Sequence, residues 1–125
     1  MPLHWIIDSR AELVTTVAEG KIVRADVDAY IDAVVGAGAL GYRKLYDGVG
    51  ATVEMQAEEL LELGVRFRSY HGQRVGAVAL VLTQEQRQEL SRLLGVLASA
   101  DRPLRLFKTR ATAKRWLDSL GAGGG

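Results

Sequence analysis

"GAVALVLTQEQ", residues 76 to 86, decides the architecture. Its first seven residues show almost no polar alternation, which is how a strand covered on both faces reads, so it belongs in the middle of a largely parallel sheet. The next four, Thr83 to Gln86, match a capping box: the threonine hydroxyl and the glutamine carboxamide can satisfy N–H groups left open at a helix start. In the helix so opened, Leu90, Leu93, Leu94 and Leu97 form the buried stripe.

The same alternation extends on both sides. Upstream, "YRKLYD" (42 to 47) reads as a strand with one face only partly covered and Leu45 in the core. From Val53, the spacing of Ala57, Leu60, Leu61, Gly64 and Phe67 gives an amphipathic helix. Earlier still, Val27, Tyr30, Ile31, Val34 and Val35 recur at helical spacing, with Asp26 and Asp28 where a helix N-terminus favours negative charge and an end near Gly36 and Gly38. "LHWII" (3 to 7) and "ELVTTVA" (12 to 18), separated by Asp8, Ser9 and Arg10, suit an antiparallel hairpin. Downstream, Pro103 precedes a last strand, "LRLFK", and Thr109 opens a helix with Ala113, Trp116, Leu117 and Leu120 on one stripe. The expectation is one α/β domain over 1–120: a mixed, mostly parallel sheet of about five strands with about four helices, in the order β-β-α-β-α-β-α-β-α. "GAGGG" (121 to 125) has nothing to pack and is expected to be a flexible tail.

The totals narrow the function. Sixteen Lys and Arg against fifteen Asp and Glu leave a net charge of +1 without a long block of one sign, which argues against nucleic acid as a partner. The chain has no cysteine, so disulfides, thiolate metal sites and thiol nucleophiles are excluded, and a cytoplasmic location is expected. The longest apolar run, Val75 to Leu82, falls far short of the roughly 20 residues that span a bilayer, and Met1 to Arg10 lacks the pattern of a signal peptide. No transmembrane segment is expected.

The opening "VAEGKIVRADVDAYIDAV" after the hairpin, the "YRKLYDG" and "GAVALVLT" strands and the closing "LRLFKTRATAKRWL" together resemble the STAS-type SpoIIAA-like domains, relatives of anti-sigma factor antagonists. The resemblance runs from about Trp5 to Leu120. It implies a regulatory role in which a loop at the start of the second helix is phosphorylated on a serine and docks a partner kinase or anti-sigma-type regulator. The equivalent stretch here is Asp47-Gly48-Val49-Gly50-Ala51-Thr52. The aspartate is in place, the serine-rich segment is replaced by two glycines, and Thr52 is the only hydroxyl before the helix. The resemblance also implies a second role, because some members are compared with lipid-binding CRAL-TRIO domains.

Residue chemistry keeps both roles open. Thr52 reads as an N-cap with Glu54 complementing the helix dipole, or as a phosphorylation site repelled by Asp47 and Glu54. Gly48 and Gly50 permit positive φ, so their N–H groups could face a phosphate-bearing ligand, but neither a P-loop nor GxGxxG is present. Arg66, Arg68, His71 and Arg74 read as a solvated edge. The carboxylate pairs Asp28 with Asp32 and Glu58 with Glu62 read as exposed neighbours on a helix face. His4 and His71 lack carboxylates at ligand spacing, and no serine sits in GxSxG, so neither a metal, a cofactor nor a catalytic triad is called for. The reading is a non-enzymatic interaction module whose binding residues are Asp47, Gly48, Gly50 and Thr52. The alternative is a carrier or sensor of a small amphiphile or lipid, with a cavity lined by Tyr30, Leu60, Phe67 and Trp116. "LHWII" at a sheet edge, with Trp5 exposed, would support a homodimer.

Overall fold

The computed structural model describes residues 2–70, 75–89, 91 and 104–120. The leucine stripe at 90–97, His71, Arg74 and the glycine tail lie outside the described residues, as do the side chains of Phe67 and Arg68. Strands β1 (Leu3–Asp8) and β2 (Leu13–Ile22) form the antiparallel hairpin, with Leu3 opposite Ala18 and Asp8 opposite Leu13. Asp8 accepts the N–H of Ala11 at 3.0 Å, and Glu12 turns the chain at φ 51. Strands β3 (Arg43–Val53), β4 (Val78–Val81) and β5 (Leu104–Phe107) then add in parallel, in the sheet order β1-β2-β3-β4-β5. Helices α1 (Arg24–Gly36), α2 (Ala57–Arg68), α3 (Gln84–Glu89) and α4 (Arg110–Ser119) alternate with them in the expected order.

The apolar run at 76–82 is interior rather than in the middle of the sheet: its strand, β4, lies between β3 and edge strand β5. Ala77, Val78, Ala79, Val81 and Leu82 are all buried. Gly76 is dictated by close approach, because a Cβ there would lie 2.0 Å from the Tyr42 carbonyl oxygen.

Strand alternation sends side chains to two different layers. On one face α4 packs Ala113 and Leu117 against Leu45, Ala79 and Val81, while Trp116 meets Phe107 at 5.7 Å between ring centroids. Buried Arg43 holds this layer: its guanidinium donates to the Leu117 and Ala11 carbonyls, each at 2.8 Å, satisfying a helix-end acceptor. Thr109 caps α4 as expected, accepting the Thr112 N–H.

On the other face lie α1, α2 and α3. Helix α1 ends through Gly38 at φ 69, where the Ala39 N–H reaches Val34 and the Gly38 N–H reaches Val35, a Schellman arrangement. Trp5 is not exposed as expected. It is half-buried and meets Tyr30 edge to face at 5.5 Å, and the exposed large hydrophobic residue of β1 is Ile6, at 73%.

Helix α2 departs from its expected register. Leu63 and Gly64 are buried while Leu61 is 62% exposed and Ala57 is exposed. With leucines at 60, 61 and 63, two neighbouring stripes are equally apolar, and ion pairs to α1 choose between them. Arg24 meets Glu62 at 2.6 Å, and Arg66 meets Asp28 at 2.8 Å and Asp32 at 2.6 Å. Arg66 is therefore not part of a solvated edge, and Asp28 and Asp32 are not merely exposed neighbours: one guanidinium grips both. Its pKa is raised, first by the hydrogen bond to Tyr70 and then by that to Asp32.

Candidate functional site

Strands β2 and β3 outlast the rest of the sheet. Strand β4 pairs with β3 only from Lys44 to Asp47. Beyond that, β3 continues against β2 alone: after an irregularity between Val17 and Glu19, Glu19 to Ile22 pair with Gly50 to Val53. The expectation that Asp47 to Thr52 is a loop entering a helix is therefore corrected. The stretch is strand, and α2 begins only at Ala57, after Glu54, Met55 and Gln56. Thr52 cannot cap α2; at that helix start the Gln56 N–H is taken by the Glu59 carboxylate at 2.9 Å.

The physical reason lies on the inner side of this overhang. Ala51 and Val53 have apolar partners there, beside fully buried Ile22, so an extended ladder wins over a turn. Gly48 and Gly50 are not at positive φ; among the described residues, the positive-φ glycines are Gly20 and Gly38. Gly48 is closely packed instead: a Cβ would lie 3.0 Å from Leu82 Cδ2 and 3.4 Å from the Tyr46 ring, so these side chains would have to give by a few tenths of an ångström.

An overhanging strand leaves carbonyls without a ladder partner on its free side. Gln86 supplies one. Its carboxamide oxygen accepts the Thr83 N–H at 2.8 Å and its own N–H donates to Thr83 Oγ1 at 3.1 Å, the expected capping box. The remaining carboxamide nitrogen donates to the Gly48 and Ala51 carbonyls, at 2.5 and 2.9 Å, where β4 would have been. At the base of the overhang, Asp47 accepts the Val49 N–H at 3.2 Å and the Arg110 Nε at 2.6 Å, which anchors it to the start of α4.

The four expected binding residues therefore divide. Gly48 is buried and Asp47 is committed to Arg110, whereas Gly50 and Thr52 are exposed together with Val49. Thr52 sits beside Lys21 in the ladder, and Lys21 also approaches Glu54 at 3.8 Å. Arg110 and Lys21 were not singled out from the sequence, and Gln86 was read only as half of a capping box. Gln86 had a readable signal, because a capping-box glutamine spends its oxygen and keeps its NH2 for another acceptor. Arg110 and Lys21 had none.

Behind the overhang, between the sheet and α1 and α2, lies a cavity of about 190 Å³. Ile22, Val27, Ile31, Tyr46, Leu63 and Leu80 supply much of its wall, and Gly48, Ala51, Val53 and Gln86 close the side toward the overhang. Lys44 is on the wall with its ammonium donating to the Leu40 and Tyr42 carbonyls, at 2.6 and 2.7 Å. Burial pushes the phenols of Tyr30 and Tyr46 up. Of the expected lining residues Tyr30 is present. Trp116 belongs to the opposite face, under α4, and Leu60 is not on the wall.

Among the described residues no cluster of three or more His, Cys, Asp or Glu could hold a metal ion, and no helix is long and apolar enough to cross a membrane. No family model matches the sequence, and no curated protein matches it. The solved structures that match its shape include two that do so over nearly the whole length. One is an uncharacterised protein of the DUF3478 family with a SpoIIAA-like fold from Shewanella loihica PV-4, with a TM-score of 0.64, 16% identity, and 92% of this chain and 93% of that one covered. The fold is SpoIIAA-like. The other structure is an anti-sigma factor antagonist from Mycobacterium paratuberculosis, with a TM-score of 0.55, 13% identity, and 93% and 94% covered. The SpoIIAA-like resemblance carried by the sequence motifs is thus met in the fold.

Proposed function

We propose that the protein is a non-enzymatic cytoplasmic regulatory module that presents the outer side of the β3 overhang to a protein partner. The observation that carries this is the bracing of the overhang. Gln86 and the Asp47–Arg110 pair hold an extended backbone in place while Val49, Gly50 and Thr52 stay exposed, so the surface is pre-organised for docking. The exposed side of α2, with the apolar pair Leu61 and Val65, is the second surface of this reading. The match to an anti-sigma factor antagonist favours a kinase or anti-sigma-type regulator as the partner.

Thr52 is the switch in this reading. A phosphate there adds about −1.5 to −2 charges beside Lys21, which it attracts, and near Glu54, which it repels. Photo-crosslinking residues placed at Val49 or Leu61 should capture a partner that the same residue at Arg115, on α4, does not; equal capture from all three positions would remove the reading. Thr52→Glu and Thr52→Ala should then differ at least tenfold in affinity for that partner while differing little in stability, since Thr52 is an exposed strand residue and no cap. Self-association through β1 is a proposal carried by exposed Ile6 at the sheet edge. A monomer mass by light scattering overturns it. The cavity favours a second reading, a carrier or sensor of a small amphiphile, which extra mass on the native protein in mass spectrometry would support.

A further inference from the structure

The cavity is small and its wall is carbon. Its volume of about 190 Å³ lies below the roughly 300–1,000 Å³ of pockets that enclose drug-sized ligands. It is close in volume to an engineered, enclosed cavity of about 150 Å³, lined by aliphatic and aromatic side chains, that binds benzene, and differs from it in being partly open to solvent. Two polar groups on the wall are turned to protein acceptors, the Gln86 carboxamide to the Gly48 and Ala51 carbonyls and the Lys44 ammonium to those of Leu40 and Tyr42, and the other polar atoms there are the neutral phenols of Tyr30, Tyr46 and Tyr70. An ionised head group placed among Ile22, Val27, Ile31 and Leu80 would lose its hydration, at a cost that such a wall cannot offset.

We propose that this cavity is a binding site for a small uncharged apolar molecule about the size of one substituted aromatic ring. The proposal rests on the carrier reading and narrows it, since it excludes long acyl chains. It is independent of partner docking. Gly48, Ala51 and Val53 form one wall, so their amides report what occupies the space.

The test is a titration of isotope-labelled protein with benzene, toluene, indole and dodecanoate, read by amide chemical shifts. Saturable shifts at Gly48, Ala51, Val53, Ile31 and Leu63 with the three ring compounds, and none with dodecanoate, are the expected result. Ala51→Phe and, from the other wall, Val27→Phe fill the space and should each weaken ring binding at least tenfold while the spectrum remains that of a folded chain. Saturable binding of dodecanoate at the same residues overturns the size and charge assignment but leaves a carrier. Absence of saturable binding by any probe overturns both. Ring affinity unchanged in the filled variants that fold places the binding elsewhere and overturns the site.

Discussion

A methyl group at position 76 has no room. It would stand 2.0 Å from the Tyr42 oxygen, a backbone atom in a segment held by hydrogen bonds, so the clash cannot be relieved by a rotamer. Gly76→Ala should cost at least about 3 kcal/mol in urea unfolding, at the high end for overpacking. Tyr46 gives a pH dependence. Its burial holds the phenol above its ordinary value of 10.0, with smaller contributions from Tyr30 and Asp26. The unfolded chain releases this proton from about pH 10 while the native chain keeps it, so stability is whole below that pH and falls as pH rises above it. Unfolding free energies measured from about pH 9 to about pH 11.5 should decline less steeply in Tyr46→Phe than in the parent. Tyr30 contributes with the same sign, so part of the slope should persist.

At the scale of elements, the overhang of β2 and β3 is the feature from which the functional reading follows. It is a two-strand ribbon braced on one side by a single side chain, so Gln86→Ala removes half of the α3 capping box and two carbonyl partners together. A loss of about 1 to 3 kcal/mol is expected. Amide exchange at Val49 to Val53 should quicken more than at Leu45. Equal acceleration along β3 would show that Gln86 supports the sheet in general. The ribbon was not legible in the sequence, because Gly48-Val49-Gly50 reads as a turn when only local chemistry is weighed. What makes it a strand is distant: Leu82 crowding Gly48, and β2 alongside offering a ladder. Helix α4, by contrast, was legible in full, since cap and buried stripe agree and no second apolar stripe competes.

Across the molecule, the sheet has unequal covers. Helix α4 packs on β3, β4 and β5 and leaves Ile6 of β1 exposed, while α1 and α2 lie on the other face and flank a partly open cavity against it. Arg43 joins β3, the hairpin turn and the end of α4 in one buried contact set. Replacing it in Arg43→Met keeps the volume but leaves the Ala11 carbonyl without its guanidinium donor and the Leu117 carbonyl with the Leu120 N–H alone. The expected loss is about 2 to 3 kcal/mol, with α4 amides the first to lose exchange protection. The sequence by itself determined the order of strands and helices, the covered, interior place of 76–82, the capping box and the N-cap of the last helix, because each follows from periodicity and from groups a few residues apart. Only the tertiary structure decided the length of β3, the face that α2 buries, the partners of Asp47, Gln86 and Arg66, and the cavity. Those depend on which atoms meet from segments more than thirty positions apart, for which one-dimensional spacing holds no record.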